Sequence, residues 1–261
     1  MRKKIALIMS LMFFCFLPGC IYVNTDNNQN ENNANRDINS NNSTSSKAKT
    51  NKKIIALDAG HQAKGDLSKE PIGPGASETK YKVSYGTCGN TSGLNEYELT
   101  LVVTNKLKNE LISRGYNVVM IRESNNVNIR NSQRAEIANN SNSDIFLRIH
   151  ANSDNNSNLN GIITLCQTPN NPYISNLYKK SRYLSHCILE SMIEETNATN
   201  RGVWETDSMS GINWCEIPVT IVEMGFMSNP KEDTLMSSDY YQNKLVQGMA
   251  NGVDKYFEIN N

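Results

Sequence analysis

Short apolar runs alternate along this chain with longer segments of helical period, and that alternation leaves few folds open. Residues 53–58 (Lys-Ile-Ile-Ala-Leu-Asp), 117–122, 144–149, 161–166 and 218–222 have the length and composition of buried strands. Between them, apolar residues recur three and four apart. Leu99, Val102, Val103, Leu107 and Leu111 do so within 95–114, with Gly115 as a stop. Leu177, Tyr178, Leu184, Ile188 and Met192 mark a helix over 172–195, and Leu245, Val246, Met249 and Val253 another over 238–257. A shorter helix over 131–139 turns the small Ala135 and Ala138 inward. Strands alternating with helices predict one α/β domain with a twisted, largely parallel sheet flanked by helices. Residues 62–93 are rich in Gly, Pro, Ser, Thr and Lys and show no period, which predicts a long loop beside the end of the first strand.

The N-terminal residues divide the chain. Arg2, Lys3 and Lys4 precede an apolar stretch from Ile5 to Leu17, shorter than the ~20 residues a membrane-spanning helix needs. The pattern predicts an export signal over residues 1–19. Leu17-Pro18-Gly19-Cys20 resembles a bacterial lipobox, which implies cleavage before Cys20 and a lipid on its sulfur. The membrane's outer face, in the cell-wall space, would then be the location, with the membrane itself a partner through that lipid. Residues 20–51, rich in Asn and Ser, hold too little apolar surface to offset ordering entropy and are expected to form a disordered tether. Residues 52–261 remain as the folded domain, long enough for a sizeable core. With 26 Lys+Arg against 26 Asp+Glu, the net charge of +0 gives no electrostatic reason to expect a nucleic-acid partner. Cys88, Cys166, Cys187 and Cys215 are widely spaced without a C-x-x-C pair, so a cysteine metal site is not expected, and their pairing is left open.

Three strands deliver a residue capable of metal or proton chemistry: His61 just past the first, His150 and Glu223 at the ends of two others. In open α/β sheets the carboxyl ends of the strands are where ligands bind. Of the 3 histidines in the chain, two sit at that rim. Two histidines and a carboxylate make a catalytic zinc set that leaves a fourth position for water. Glu96 and Glu98 both open the helix over 95–114. Asn95 is a candidate N-cap, and Glu98 stands three residues on, the spacing of a capping box. Glu98 thus has a structural task, and Glu96 is the preferred ligand. Glu223 is left for proton transfer. His186, mid-helix and without a matching partner, reads as structural. Arg134 reads as an anchor rather than a substrate contact, and Trp204 and Trp214 as core rather than sugar-stacking residues.

Several segments resemble the zinc-dependent N-acetylmuramoyl-L-alanine amidases of the amidase-3 family. These are Asp58-Ala59-Gly60-His61, Gly93-Leu94-Asn95-Glu96 with Leu99 and Leu101, Asn131-Ser132-Gln133-Arg134-Ala135 with Ala138-Asn139, residues 146–152 (Phe-Leu-Arg-Ile-His-Ala-Asn) and residues 222–229 (Val-Glu-Met-Gly-Phe-Met-Ser-Asn). Their order and separations fit the family over nearly the whole domain. The resemblance implies one zinc ion held by His61, Glu96 and His150, with Glu223 as catalytic acid and base. It implies hydrolysis of the amide between the lactyl group of N-acetylmuramic acid and L-alanine in peptidoglycan, and a phosphorylase/hydrolase-like fold. Arg134, Asn152 and Asn229 are expected to support the site or contact substrate. Residues 70–75 (Glu-Pro-Ile-Gly-Pro-Gly), with Lys80, Lys82, Gly86, Thr87 and Thr91, resemble the long loop of a clostridial and bacillar subgroup, some of which act in spore or mother-cell wall lysis. A zinc peptidase acting within the stem peptide and an inactive wall-binding module are the alternatives. The need for a protein activator is left open.

Overall fold

A computed structural model describes residues 52–259. The expected export signal, Cys20 and the tether lie outside the described residues. The main sheet has six strands in the order β4-β1-β5-β8-β6-β7. They are β1 (Ile54–Ala59), β4 (Asn117–Met120), β5 (Ile145–Asn152), β6 (Ile162–Cys166), β7 (Asn200–Glu205) and β8 (Val219–Phe226). The pairs β4–β1, β1–β5 and β5–β8 are parallel; β6 pairs antiparallel with β8 and parallel with β7. The expected single α/β domain with a largely parallel sheet is therefore observed.

The inner strands β1, β5, β8 and β6 are apolar nearly throughout because both faces of the sheet are covered there. Successive side chains alternate between two cores, as the two-residue period of a strand requires. Ile55, Leu57, Ile145, Leu147 and Ile149 enter one core, where α1 (Glu96–Ser113), α3 (Tyr178–Thr196) and α6 (Asp239–Ile259) also pack. Ala56, Phe146, Ile163 and Ile221 enter the other, with Ala135 and Ala138 of α2 (Asn131–Asn140). Helices α3 and α6 lie close together. A Cβ at Gly248 or Gly252 would stand 2.5 Å from the Met192 Cα or 2.6 Å from the Ile188 Cα.

Several elements differ from expectation. Residues 62–93 are not one loop: β2 (Asp66–Pro71) and β3 (Thr79–Val83) form an antiparallel ribbon. Its strands are mostly polar, and it is held by local anchors rather than by an apolar face. Buried Glu70 accepts hydrogen bonds from the Ser132 backbone N–H (3.1 Å) and hydroxyl (2.6 Å) of α2, while Ile72 and Val83 are buried. Strands β5 and β8 run through His150 and Glu223 instead of stopping before them. β7, α4 (Ser210–Asn213) and α5 (Pro230–Met236) were not expected. Trp204 is 48% exposed on β7, so it is not a core residue; its indole N–H donates to the Arg201 carbonyl (3.0 Å). The four cysteines Cys88, Cys166, Cys187 and Cys215 are free. Among the described residues no helix is long and apolar enough to cross a membrane.

Candidate metal centre and cleft

Neighbouring strands β1 and β5 bring His61 and His150 to the same end of the sheet, and the first turn of α1 brings Glu96 against them. His61 Nε2, His150 Nδ1 and Glu96 Oε1 stand 3.2 Å apart in each of the three pairs. A tetrahedral zinc with bonds of about 2.0–2.1 Å has ligand atoms about 3.3–3.4 Å apart, the edge being 1.63 times the bond length. The set therefore has the size of one face of such a site, and these three side chains could hold a metal ion.

The surroundings prepare each of the three for that state. The His61 Nδ1–H donates to the Ser84 carbonyl (3.0 Å), which directs the free lone pair of Nε2 to the cluster. Burial pushes the His150 imidazolium down to about 4, so the ring is neutral near pH 7, as a metal ligand must be. Burial alone would raise the Glu96 carboxyl, but the neighbouring His150 and His61 imidazoles outweigh it and hold it well below the usual carboxylate range. Glu96 Oε2 accepts from the Thr87 N–H (2.9 Å) and Oε1 from the Ala151 N–H (3.1 Å). Glu98, by contrast, turns back to the Asn95 N–H (3.2 Å), the capping contact that its spacing predicts.

Backbone shape matters as much as side chains. His61 has φ +60, in the left-handed region that non-glycine residues seldom adopt. The carbonyls that lead into it are all engaged. That of Ala59 accepts from Arg122 Nε (2.7 Å) and Arg134 Nη1 (3.0 Å), that of Gly60 from the Thr100 hydroxyl (2.9 Å), and that of His61 from Arg134 Nη2 (3.0 Å). Gly60 is required by packing, since a Cβ there would overlap the His150 ring. Fully buried Asp58 joins two guanidinium groups, Arg134 Nη1 (2.6 Å) and Arg148 Nε (3.0 Å). Burial would raise its carboxyl, but the two arginines outweigh that and lower it from 3.8.

Glu223 lies opposite His150 in the β5–β8 register. Its Oε2 is buried without a hydrogen-bond partner, as is His150 Nε2. Burial first, and then the charge of Glu96, raise the Glu223 carboxyl to about 8. A carboxyl poised near neutrality can both accept and return a proton. Glu223, His61 and His150 line a cleft of about 500 Å³, one wall of which is the β2–β3 ribbon with Lys69, Lys80 and Tyr81.

The other expected site residues hold the frame. Arg134 is 0% exposed and fixes the His61 loop. The Asn152 side chain accepts from the Ser153 N–H (2.7 Å), while its carbonyl accepts from the Met227 N–H (2.8 Å). Asn229 caps α5, accepting from the Lys231 and Glu232 N–H groups, and donates to the Leu159 carbonyl (3.1 Å). Neither lines the cleft. His186 is exposed on α3, 3.9 Å from Glu190, and Trp214 is half-buried, its N–H on the Pro71 carbonyl (3.1 Å). Sequence reasoning missed Arg122, Arg148 and the buried role of Asp58. A signal existed: Arg148 and Asp58 each interrupt an apolar strand, and a charge buried there needs an opposite partner.

A comparison with known families decides the relationship. The family model described as N-acetylmuramoyl-L-alanine amidase matches residues 55–255. This chain belongs to that amidase family. The family is one of hydrolases, so the chain is grouped with enzymes. The amidase domain is 27% identical over 175 residues to the uncharacterized protein YqiI of Bacillus subtilis, covering 66% of this chain and 79% of that protein. It is 25% identical over 211 residues to the N-acetylmuramoyl-L-alanine amidase LytC of the same organism, covering 79% of this chain but only 39% of LytC. The crystal structure of the amidase Ami1 from Mycobacterium smegmatis shares the fold, with a TM-score of 0.72 at 23% identity over 79% of this chain and 97% of that chain.

Proposed function

We propose that this amidase domain is a zinc enzyme that hydrolyses the amide between N-acetylmuramic acid and L-alanine in peptidoglycan. The observation that carries the reading is the His61–Glu96–His150 set, 3.2 Å apart in each pair, beside the partnerless Glu223 in one cleft. The donor set fits zinc chemistry: two imidazoles and one carboxylate, with a position left over. His61, Glu96 and His150 would hold one ion, which supplies Lewis acidity at the scissile carbonyl when bound.

The protein's own groups account for the rest. Glu223 takes a proton from the attacking water as its oxygen bonds to the carbonyl carbon. It returns that proton to the L-alanine nitrogen as the C–N bond breaks, so a single carboxyl serves as base and then acid. Its seclusion keeps the proton affinity high enough for the second step. The ribbon β2–β3 screens one side of the cleft and, with the sheet rim, orients the stem peptide. Arg134 and Arg122 keep the His61 loop in its left-handed turn. The chain is further proposed to act outside the cell membrane, carried there by residues 1–19 and retained through a lipid on Cys20, with residues 20–51 as tether.

The test is digestion of purified peptidoglycan with and without a chelator, with products identified by mass. Release of peptides with an intact L-alanine N-terminus, abolished by the chelator and restored by zinc, is expected. Fragments cut within the stem peptide would instead establish a peptidase. Metal-independent release would rule out the zinc assignment.

A further inference from the structure

The cleft has a cationic wall that the hydrolytic step leaves unused. Lys69 and Lys80 both line it, from adjacent strands of the β2–β3 ribbon. Among the described residues neither lysine has a carboxylate partner within ion-pair distance, whereas Lys82 of the same ribbon pairs with Asp66. The Lys69 ammonium rests 3.8 Å from the centre of the Tyr81 ring, a cation–π contact that holds the charge on the ribbon without neutralising it. Among the described residues, the only carboxylate side chain on the cleft surface is Glu223, at the metal end. Two uncompensated cations on one wall of a cleft create a local positive field that favours an anionic ligand.

A second, independent feature lies in the same cleft. Ser210, from α4, is 4% exposed, lines the cleft, and its hydroxyl has no hydrogen-bond partner. A buried hydroxyl left unpaired costs free energy that a ligand acceptor would recover. Gly211 beside it carries no side chain, which lets the Arg148 guanidinium pack against the backbone where a Cβ would overlap it.

We propose that Lys69, Lys80 and Ser210 form a carboxylate-recognising subsite that selects stem peptides with a free carboxylate near the scissile bond over amidated ones. This rests on the amidase reading, which supplies the peptide. An extended chain advances at most about 3.3–3.6 Å per residue. A carboxylate on the residue after L-alanine therefore travels only a few ångströms beyond the cut bond, within a cleft that holds both the metal centre and the ribbon. The two lysines supply the charge and the serine an uncommitted O–H donor. Discrimination arises because the carboxamide offers one acceptor oxygen, no charge, and an NH₂ group facing cations.

The experiment is equilibrium binding, by calorimetry at fixed ionic strength, of two synthetic peptides to the zinc-loaded protein. Both begin with L-alanine; the second residue is a glutamate with its α-carboxylate free in one and converted to the carboxamide in the other. Because no bond is cut, the readout does not depend on turnover, and failure of the hydrolytic reading would show separately as no release from peptidoglycan. Charge-assisted hydrogen bonds are roughly twice as strong as neutral ones, so the acid should bind about tenfold or more tighter than the amide. Lys69→Gln with Lys80→Gln should bring that ratio close to one while leaving amide binding and the folded state, read by circular dichroism, unchanged. Ser210→Ala should weaken acid binding several-fold. Equal affinity of the native protein for acid and amide, or a ratio unchanged in the double variant, would overturn the proposal.

Discussion

Replacing Asp58 by asparagine keeps the shape of the side chain and removes its charge. In the native fold that charge is fully buried between Arg134 (2.6 Å) and Arg148 (3.0 Å), themselves 0% and 4% exposed. Deleting one partner of a buried ion pair costs about 3–5 kcal/mol because the remaining charge stays desolvated. Two guanidinium groups lose their anion here, so the upper part of the range applies. For a domain of about 210 residues each kcal/mol moves the melting temperature by roughly 2–4 °C, so Asp58→Asn should lower it by roughly 8–20 °C. Calorimetry reads the change directly. Adding Arg148→Met, which removes one orphaned cation, should recover part of it. The pH dependence has a definite sign. The folded Asp58 carboxyl lies below its ordinary 3.8 despite burial, because the arginines outweigh desolvation. Its contribution is full above the unfolded value and is lost as pH falls through the folded one. The native protein should thus lose stability on acidification below about pH 4, and the variant should lose less of it. A melting-temperature loss under about 2 °C would refute the claim that the Asp58 charge supports the site's frame.

Other outcomes follow from the same contacts. Gly60→Ala should place a methyl in the His150 ring and weaken zinc binding by about tenfold or more, read by competition with a chromogenic chelator. Glu98→Ala should cost about 1 kcal/mol through the lost cap yet leave zinc binding intact, whereas Glu96→Ala should abolish the rise in melting temperature on adding zinc. Gly248→Val should wedge α6 from α3 and cost about 1–3 kcal/mol or more by denaturant melts, with zinc affinity unchanged.

Much of the frame was legible in the sequence because its signals are local. The inner strands of the main sheet are apolar on both faces, and α1, α3 and α6 carry three- and four-residue spacings. The capping contact of Glu98 was legible for the same reason, since a capping box is a matter of spacing alone. The ribbon β2–β3 was not: its strands Asp-Leu-Ser-Lys-Glu-Pro and Thr-Lys-Tyr-Lys-Val have no apolar face, and what fixes them is Glu70 bonding to Ser132, 62 residues away. β7 escaped because it is an edge strand whose residues are mostly half-exposed, Trp204 among them. The Asp58–Arg134–Arg148 cluster was hidden by distance along the chain. The capping of α5 by Asn229 was likewise not read from the sequence.

The account's central claim is that Glu223 moves the proton while His61, Glu96 and His150 hold the ion. The most direct measurement is the rate at which zinc-loaded Glu223→Gln releases L-alanine-ended peptides from peptidoglycan, with bound metal assayed on the same sample. The account predicts one zinc per chain and a rate lowered by about 10²–10⁴-fold, the usual contribution of a general acid–base group. A rate within a few-fold of native, at full zinc occupancy, would contradict it.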